Sequence, residues 1–265
     1  MLLPYLYFIL LGIVAGFLAG LLGVGGGIVI VPSLYLIFSM THVSEVHILH
    51  LALGTSLACI MFTSVSSFRA HHFHGAVNWP IFRAISPGII MGTLLGTFIS
   101  AHLNTQILKY LFAIFLLYSA TLMIFEIQPR SIRNLPNKRG MFVAGNLIGM
   151  ISSLIGIGGG TLSVPFMLRC DVKIHQAIGT SAAIGFPIAI AGTVGYFANG
   201  INMSDLPPYT LGYLNLPAIF GIVPFSLITA PLGVKVSHRI PVGRLKKIFA
   251  ILLFILAFRM FLTMI

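Results

Sequence analysis

The sequence contains few charged residues. Only 7% of its 265 residues are Asp, Glu, Lys or Arg, against about 25% in a soluble domain. Apolar residues make up 58%, more than one core can absorb while polar groups still cover the surface. This excludes a water-soluble enzyme and indicates a polytopic membrane protein. A helical span takes about 20 apolar residues, so the chain can cross a bilayer at most about ten times.

Acidic residues are nearly absent. The four are Glu45, Glu126, Asp171 and Asp205, and all fall at the ends of apolar segments. We therefore predict no carboxylate at mid-membrane, where an acidic proton relay or a bare divalent cation would need one. The sequence contains neither a P-loop nor a Gly-x-Ser-x-Gly motif, so we expect no ATP hydrolysis and no serine hydrolase chemistry.

Cysteine is also scarce. Cys59 and Cys170 provide neither a disulfide framework nor metal-ligand spacing, and we expect them to pack as small apolar residues. The net charge of +11 comes from basic residues that lie between apolar runs. This is typical of membrane proteins rather than of nucleic-acid binding, so we expect no nucleic-acid partner, and we predict no cofactor. No Lys or Arg precedes the first apolar run, which predicts a retained membrane segment rather than a secretory signal.

Ten apolar runs predict the helices. They span residues 5–22, 28–39, 46–68, 80–100, 107–125, 141–156, 161–169, 175–198, 212–236 and 248–264. One long polar connector, 126–140, contains two prolines and four basic residues. It separates a first unit, 1–125, from a second, 141–265, within one membrane domain.

The two units repeat each other. Three pairs of blocks match in order: GFLAGLLGVGGGIVIVP (16–32) with GMISSLIGIGGGTLSVP (149–165), HLALGTS (50–56) with HQAIGTS (175–181), and LKYLFAIFLL (108–117) with LKKIFAILLF (245–254). Such a pattern indicates an internal duplication, which is common in secondary transporters. In that class, transport proceeds by alternating access, and we expect the two halves to rock around a central site.

The short runs 28–39 and 161–169 decide the topology. At about 1.5 Å per residue they extend about 18 and 14 Å, too little for a core of about 30 Å. If each turns back as a re-entrant half-helix, every basic residue except Lys109 and Arg259 faces one side. If each broken pair instead makes a single crossing, the middle connector and the loop at 235–247 fall on opposite sides.

The positive-inside rule favours the re-entrant arrangement. It gives an odd number of crossings per unit, so the units are inverted. We therefore predict an all-α polytopic integral membrane protein with two inverted repeats, each a broken, re-entrant helix pair followed by three transmembrane helices. Both termini are predicted to lie outside the cytoplasm.

The glycine runs 25–27 and 158–160 are the leading candidates for a site. Glycine would let the chain reverse inside the bilayer, where irregular backbone survives only when it is buried in protein or lines a cavity. The half-helix after each run would point its N-terminus, which attracts anions, at the centre. The alternative is close helix packing through small residues, which fits a second set of glycines better. That set is Gly12, Gly16, Gly20, Gly92 and Gly96.

Hydroxyl groups are predicted at the same depth as the glycine runs, and we expect the two to meet within each half. Their alternative role is a hydrogen bond to the preceding helical turn. The candidate substrate-binding residues are Gly25, Gly26, Gly27, Thr55, Ser56, Gly158, Gly159, Gly160, Thr161, Thr180 and Ser181. His50 and His175, at matched helix starts, are either headgroup contacts or a gate or proton site.

His71, His72 and His74 form a cluster in a predicted cytoplasmic loop, with no counterpart in the second unit. Clustered histidines can bind zinc or copper, but no carboxylate or cysteine lies nearby in the sequence. The cluster supports an alternative hypothesis, a membrane-embedded metal-binding protein or enzyme. The other interpretation is that the three histidines are polar surface residues that bind no metal.

The doubled pattern GLLGVGGGIVIVP with HLALGTS and SLIGIGGGTLSVP with HQAIGTS resembles the TauE/SafE sulfite exporter family, also called the toluene-sulfonate uptake permease family, over nearly the whole chain. The resemblance implies a bacterial or archaeal inner-membrane transporter, not an enzyme, for sulfite, sulfonates or similar anions. The family pattern places a proline after each glycine run, here Pro32 and Pro165. The expected partners are a small anionic substrate, the lipid bilayer, and H⁺ or Na⁺ as coupling ion. The direction of transport and the oligomeric state stay open.

Overall fold

The structure is a computed structural model that describes most of the chain. It covers residues 2–23, 25–41, 43–124, 134–203 and 205–237, together with 239, 250–251, 253–255 and 257–258. The helices are α1 (Leu2–Leu22), α2 (Gly27–Met40), α3 (Ile48–Phe73), α4 (Trp79–His102), α5 (Thr105–Ile124), α6 (Lys138–Ile155), α7 (Gly160–Arg169), α8 (Ile174–Gly200) and α9 (Leu216–Ser237), and the strands are β1 (Thr210–Leu211) and β2 (Leu214–Asn215).

Five helices, α3, α4, α5, α8 and α9, are long and apolar enough to cross a membrane. Large apolar side chains such as Phe98, Ile114 and Phe220 are exposed on α4, α5 and α9. Exposed apolar surface on this scale suits contact with lipid rather than with water. The predicted all-α polytopic membrane fold is confirmed.

Both predicted helix breaks are present, between α1 and α2 and between α6 and α7. Gly26 and Gly159 precede the two short helices with φ angles of 78° and 75°. This is the left-handed region, which side chains other than glycine rarely adopt. The short helices α2 and α7 have 14 and 10 residues, fewer than the about 20 that a span takes.

Small residues bring two pairs of helices into close contact. On α1, Gly12 lies against Ile222 of α9, and Gly20, eight residues on, lies against Ala230. The two helices therefore run parallel. On α4, Gly92 lies against Asn146 of α6, and this pair also runs parallel. The structure confirms the predicted packing role of the second glycine set, whose other members make equivalent contacts.

The helices α3 and α8 form the centre of the fold and run antiparallel. Leu57 of α3 lies against Gly192 of α8, whereas Ser64, further along α3, lies near Gly185, which comes earlier in α8. Along its length α3 also contacts α9, and α8 contacts α4. The central pair therefore connects the α1–α9 pair to the α4–α6 pair.

The histidine cluster was wrongly placed in a loop. Helix α3 continues to Phe73, so His71 and His72 belong to its last turn. The end of α3 packs on α1, where Ser67 Oγ donates to the Ala19 carbonyl and, in the extra turn, His71 Nε2 lies 3.0 Å from the Gly20 carbonyl oxygen. These contacts extend the helix beyond the apolar run because polar side chains find backbone partners there.

The run at 212–236 is helical only from Leu216 onwards, because a β-hairpin occupies its start. Strand β1 pairs antiparallel with β2. Asn215 then caps α9, since its Oδ1 accepts the Ala218 N–H at 2.9 Å. Asn78 caps α4 in the same way, with Oδ1 accepting the Ile81 N–H at 3.2 Å. Asparagine is among the residues most favoured at such positions.

Two sequence predictions fall mainly outside the described residues. Of the connector 126–140, only 134–140 is described, and α6 begins within it. Of the last apolar run, 248–264, a few residues between 250 and 258 are described, all helical.

Candidate functional site

The two glycine breaks contact each other at the centre of the fold. A Cβ atom built on Gly25 would lie 3.3 Å from the Gly158 Cα, and one on Gly27 would lie 2.5 Å from the Gly156 carbonyl oxygen. Residues 25–31 and 156–160 are all buried. The structure therefore brings together the two breaks that precede α2 and α7, through Gly25 and Gly27 on one side and Gly156 and Gly158 on the other.

Two serines connect each helix of the central pair to the glycine break of the opposite half. Ser56 Oγ donates to the Gly156 carbonyl at 2.8 Å, and Ser181 Oγ donates to the Gly23 carbonyl at 3.0 Å. We expected the glycine runs and the Gly-Thr-Ser elements to meet within each half, whereas these two serine bonds run between the halves. Both serines lie on the central antiparallel pair, so each faces the break of the other unit.

The neighbouring threonines hold the starts of two helices. Thr55 Oγ1 accepts the Asn215 N–H at 2.9 Å, and Thr180 Oγ1 accepts the Asn78 N–H at 2.8 Å. Asn215 and Asn78 are the residues that cap α9 and α4. Both threonines are fully buried. The hydroxyls thus bond across the fold rather than only to their own helix, which was the alternative.

A third matched pair of contacts includes a residue of the histidine cluster. His71 Nε2 lies 3.0 Å from the Gly20 carbonyl oxygen, and Tyr196 Oη donates to the Ser153 carbonyl at 3.0 Å. His71 and Tyr196 are separated by 125 residues, the same offset that relates the two Gly-Thr-Ser blocks. Sequence comparison missed the correspondence because the two side chains differ, although the offset was available.

Two buried hydroxyls at the second break have no hydrogen-bond partner among the described residues: Ser152 Oγ and Thr161 Oγ1. Thr161 lies in the first turn of α7 and is 8% exposed. Ser152 is fully buried, and its Oγ lies 3.3 Å from where a Cβ would stand on Gly159. Buried hydroxyls normally have partners, so this pair marks a place where a ligand oxygen could bind. Thr161 is among the candidate residues selected from the sequence, whereas Ser152 is not.

The two matched histidines lie in different environments. His50 is buried, with Nε2 3.0 Å from the Ser100 carbonyl oxygen and its ring stacked on Tyr213 at a centroid distance of 5.2 Å. His47 Nδ1 lies 3.3 Å from the Tyr213 hydroxyl oxygen. His175 is exposed. Burial raises the pKa of Tyr213, so its phenol stays protonated at neutral pH. His50 therefore lies within an aromatic cluster with Tyr213 and His47, whereas His175 is exposed.

The remaining histidines of the cluster do not converge on one point. The Trp79 indole donates to His72 Nδ1 at 3.3 Å, and His74 Nδ1 lies 2.8 Å from the Ala70 carbonyl oxygen. Both are exposed, whereas His71 is buried. Within the part of the chain that the structure describes, no three His, Cys, Asp or Glu side chains are placed to hold a metal ion. The geometry does not favour the metal-binding alternative.

We predict that Ser56→Ala and Ser181→Ala each destabilise the fold. Each change leaves a buried carbonyl without its donor, which costs about 1–3 kcal/mol of unfolding free energy. Thermal unfolding of the purified protein in detergent measures the loss. Thr121→Ala is the control, because its hydroxyl bonds only to the Leu117 carbonyl of its own helix. Equal unfolding temperatures for all three variants would contradict a linking role for the serines.

The helices, the two breaks and their buried contact define a multi-pass α-helical membrane protein with two matched broken helix pairs. Residues 8–260 match the sulfite exporter TauE/SafE family, and the chain belongs to this family. It is 38% identical to a probable membrane transporter protein of Haemophilus influenzae, over 96% of this chain and 97% of that protein.

More distant relatives have the same description. A probable membrane transporter protein of Methanocaldococcus jannaschii is 29% identical over 91% of this chain and 88% of its own length. One from Bacillus subtilis is 25% identical over 95% of both chains. No solved structure shows a significant match. Family and relatives together identify the chain as a membrane transporter.

Proposed function

We propose that this protein is a secondary transporter of a small sulfur-containing oxyanion, such as sulfite or a sulfonate, bound where the two glycine breaks meet. The observation that carries the proposal is the meeting of the two breaks before α2 and α7 at one buried point, beside two hydroxyls that have no hydrogen-bond partner among the described residues. Helix N-termini attract anions through free N–H groups and the helix dipole. Broken helices that meet at mid-membrane are how many secondary transporters form their sites.

The chemistry of the surrounding residues supports an anion. The side chains at the breaks are hydroxyls and aliphatic groups, such as Ser56, Thr161 and Ile60. Glu45, Asp171 and Asp205 are exposed and lie outside the helices. A neutral site made of N–H and O–H donors can hold an oxyanion, whereas a bare divalent cation needs several oxygen ligands.

We also propose that units 1–125 and 141–265 are inverted repeats. The antiparallel run of α3 and α8 supports this, because a two-fold axis that exchanges two antiparallel helices is perpendicular to both. The bond that Ser56 makes to the Gly156 carbonyl matches the bond that Ser181 makes to the Gly23 carbonyl. The bonds of Thr55 and Thr180 to the N–H groups of the two capping asparagines match in the same way, and both matches support the same axis. If each broken pair made a single crossing, α3 and α8 would run parallel.

We also propose alternating access, in a form that suits the way the units interlock. Helix α1 packs on α9, and α4 packs on α6, so each close pair combines one helix from each unit. The sequence halves therefore cannot rock apart as rigid bodies without separating both glycine-rich contacts. We propose instead that the α1–α9 pair and the α4–α6 pair tilt against the central α3–α8 pair and open the buried site to one side at a time.

The proposed location is the inner membrane of a bacterium or archaeon, with both termini outside the cytoplasm. Cysteine labelling tests the orientation. After Cys59→Ala and Cys170→Ala, we introduce Leu135→Cys before α6 or Met203→Cys after α8. Both positions are exposed. An impermeant maleimide added to intact cells should label position 203 and not position 135. Labelling of 135 alone would overturn the orientation.

Coupling depends on the direction of transport. A dianion leaving a negative-inside cell gains about 2.3 kcal/mol per charge per 100 mV, so export could proceed without a coupling ion. Import would need H⁺ or Na⁺. His50 is the better candidate for a proton site, because it is buried beside Tyr213 and His47, whereas its counterpart His175 is exposed.

Flux in proteoliposomes tests the proposed function. We expect one or a few members of a panel of sulfite, thiosulfate, sulfate, sulfoacetate and taurine to move selectively, with rates that respond to an imposed potential. If a folded and inserted protein moves none of them, the sulfur-oxyanion assignment is wrong. Measurement of bound metal would then be the next step for the alternative based on the His71 cluster.

A further inference from the structure

The two glycine breaks match in backbone and differ in the polarity of their surroundings. At the offset of 133 residues that aligns the breaks, three positions carry a hydroxyl in the second unit and an aliphatic side chain in the first. The matched pairs are Ser152 with Ala19, Thr161 with Ile28, and Ser163 with Ile30. All six residues are buried. The two N-termini that face each other therefore offer different chemistry.

At the α7 end, two of the three hydroxyls are available to a ligand. Ser163 Oγ donates to Ser181 Oγ at 3.0 Å, so its donor is used within the protein. Ser152 Oγ and Thr161 Oγ1 have no partner among the described residues, although Ser152 is fully buried and Thr161 is 8% exposed. A buried hydroxyl without a partner costs stability. The cost is recovered if a bound oxygen accepts its hydrogen bond.

At the α2 end the surroundings are aliphatic. Ile28 is the second residue of the helix and is 1% exposed. The Ile60 side chain reaches both Gly25 and Gly27, at 3.0 and 2.7 Å from the positions where Cβ atoms would stand. This end provides backbone N–H groups, and the side chains named here offer only methyl and methylene surface. It suits an apolar substituent better than a second set of charged oxygens.

We propose that the site is one-sided and selects an anion with an oxygen-bearing head and an apolar group at the opposite end. The head lies at the α7 N-terminus, where the Thr161 and Ser152 hydroxyls donate to its oxygens. The apolar group lies against Ile28 and Ile60. This rests on the proposed function and narrows it: a small alkyl sulfonate fits both ends, whereas sulfite leaves the aliphatic end facing a charged oxyanion.

Uptake of ethanesulfonate and sulfite into proteoliposomes tests the selection. The wild-type protein should prefer ethanesulfonate by about tenfold or more in kcat/KM, since placing a charged oxyanion against aliphatic groups is costly. Thr161→Val removes a hydroxyl while keeping the shape of the side chain. It should raise KM for both anions about tenfold, the effect of one hydrogen bond to a charged group.

A pair of variants at the matched position isolates the hydroxyl. Ile28→Thr and Ile28→Val have nearly the same shape and differ by one hydroxyl. Ile28→Thr should shift preference towards sulfite about tenfold relative to Ile28→Val. A wild-type preference for sulfite, or identical selectivity in the two variants, would overturn the one-sided site while leaving sulfur-anion transport in place. Absence of flux for both anions would instead count against the proposed function.

Ligand-induced stabilisation separates binding from folding. Thr161→Val should not lower the unfolding temperature without ligand, because the hydroxyl that it removes has no partner among the described residues. Ethanesulfonate should raise the unfolding temperature of the wild type more than that of Thr161→Val. A variant that unfolds earlier without ligand and keeps the full shift with it would make Thr161 a structural residue and refute its role in the site.

Discussion

Replacing Gly26 or Gly159 by leucine should abolish anion flux while the protein still inserts into the membrane. Both residues have positive φ angles and precede the half-helices that form the proposed site. A side chain there costs about 1–2 kcal/mol in backbone strain alone. A Cβ on Gly26 would also lie 2.7 Å from the Ala15 carbonyl oxygen, and one on Gly159 would meet the end of the Ile188 side chain.

A matched control separates strain from position. Gly75 also has a positive φ, 66°, and a Cβ built on it meets no atom within 4 Å. Gly75→Leu should therefore carry similar backbone strain and keep its flux. Membrane insertion and elution as a single species on gel filtration verify folding. Because the Ile188 side chain can rotate, Gly159→Ala is a gentler second variant, expected to slow flux without unfolding the protein.

Flux equal to that of the wild type in both leucine variants would refute the site. Loss of flux in Gly75→Leu as well would show that backbone strain at a position outside the two breaks is sufficient to abolish flux. The results at Gly26 and Gly159 would then not support a site at the breaks. Flux should therefore be measured on all three variants in the same preparation, normalised to inserted protein.

Gly92→Leu should destabilise the protein by at least about 3 kcal/mol, the upper part of the range for overpacking a core. A Cβ on Gly92 would collide with the Asn146 carbonyl oxygen of α6. Because the obstacle is backbone, no side-chain rotation relieves the collision, and α4 and α6 would have to separate. Gly20→Leu, which meets the Ala230 carbonyl oxygen of α9, should have an effect of similar size.

Thermal unfolding in detergent measures the loss, and Ala101→Leu is the control. Ala101 is exposed on α4, so a leucine there contacts only solvent or lipid. We expect its unfolding temperature to match that of the wild type. An unchanged unfolding temperature for Gly92→Leu would contradict the close packing of α4 on α6.

Much of the secondary structure follows from the sequence because a bilayer leaves a chain few choices. Backbone polar groups in lipid must be satisfied within helices, so apolar runs predict helices directly. The short runs and the glycine breaks were located within one or two residues of α2 and α7. Helix α3 is longer than predicted, since its last turn is polar. The start of α9 is also misplaced, because the apolar residues Tyr213 and Leu214 of the preceding hairpin extend the apolar run towards its N-terminal end.

The candidate site was only partly accessible from the sequence. The glycines, Thr55, Ser56, Thr180 and Ser181 could be selected because they recur at matched positions. Ser152 could not be selected, because it lies within an ordinary helix and its counterpart is an alanine. Its significance depends on two tertiary facts, its burial beside Gly159 and its lack of a partner among the described residues.

Composition and repeated glycine runs alone determined that this chain is a helical membrane protein with two breaks, because both properties depend on local sequence and on the solvent. Only the tertiary structure decided which break each serine contacts. Ser56 and the Gly156 carbonyl are 100 residues apart, and Ser181 and the Gly23 carbonyl are 158 apart. Such contacts depend on the antiparallel packing of α3 on α8, a relation between distant helices that neither unit's own pattern contains.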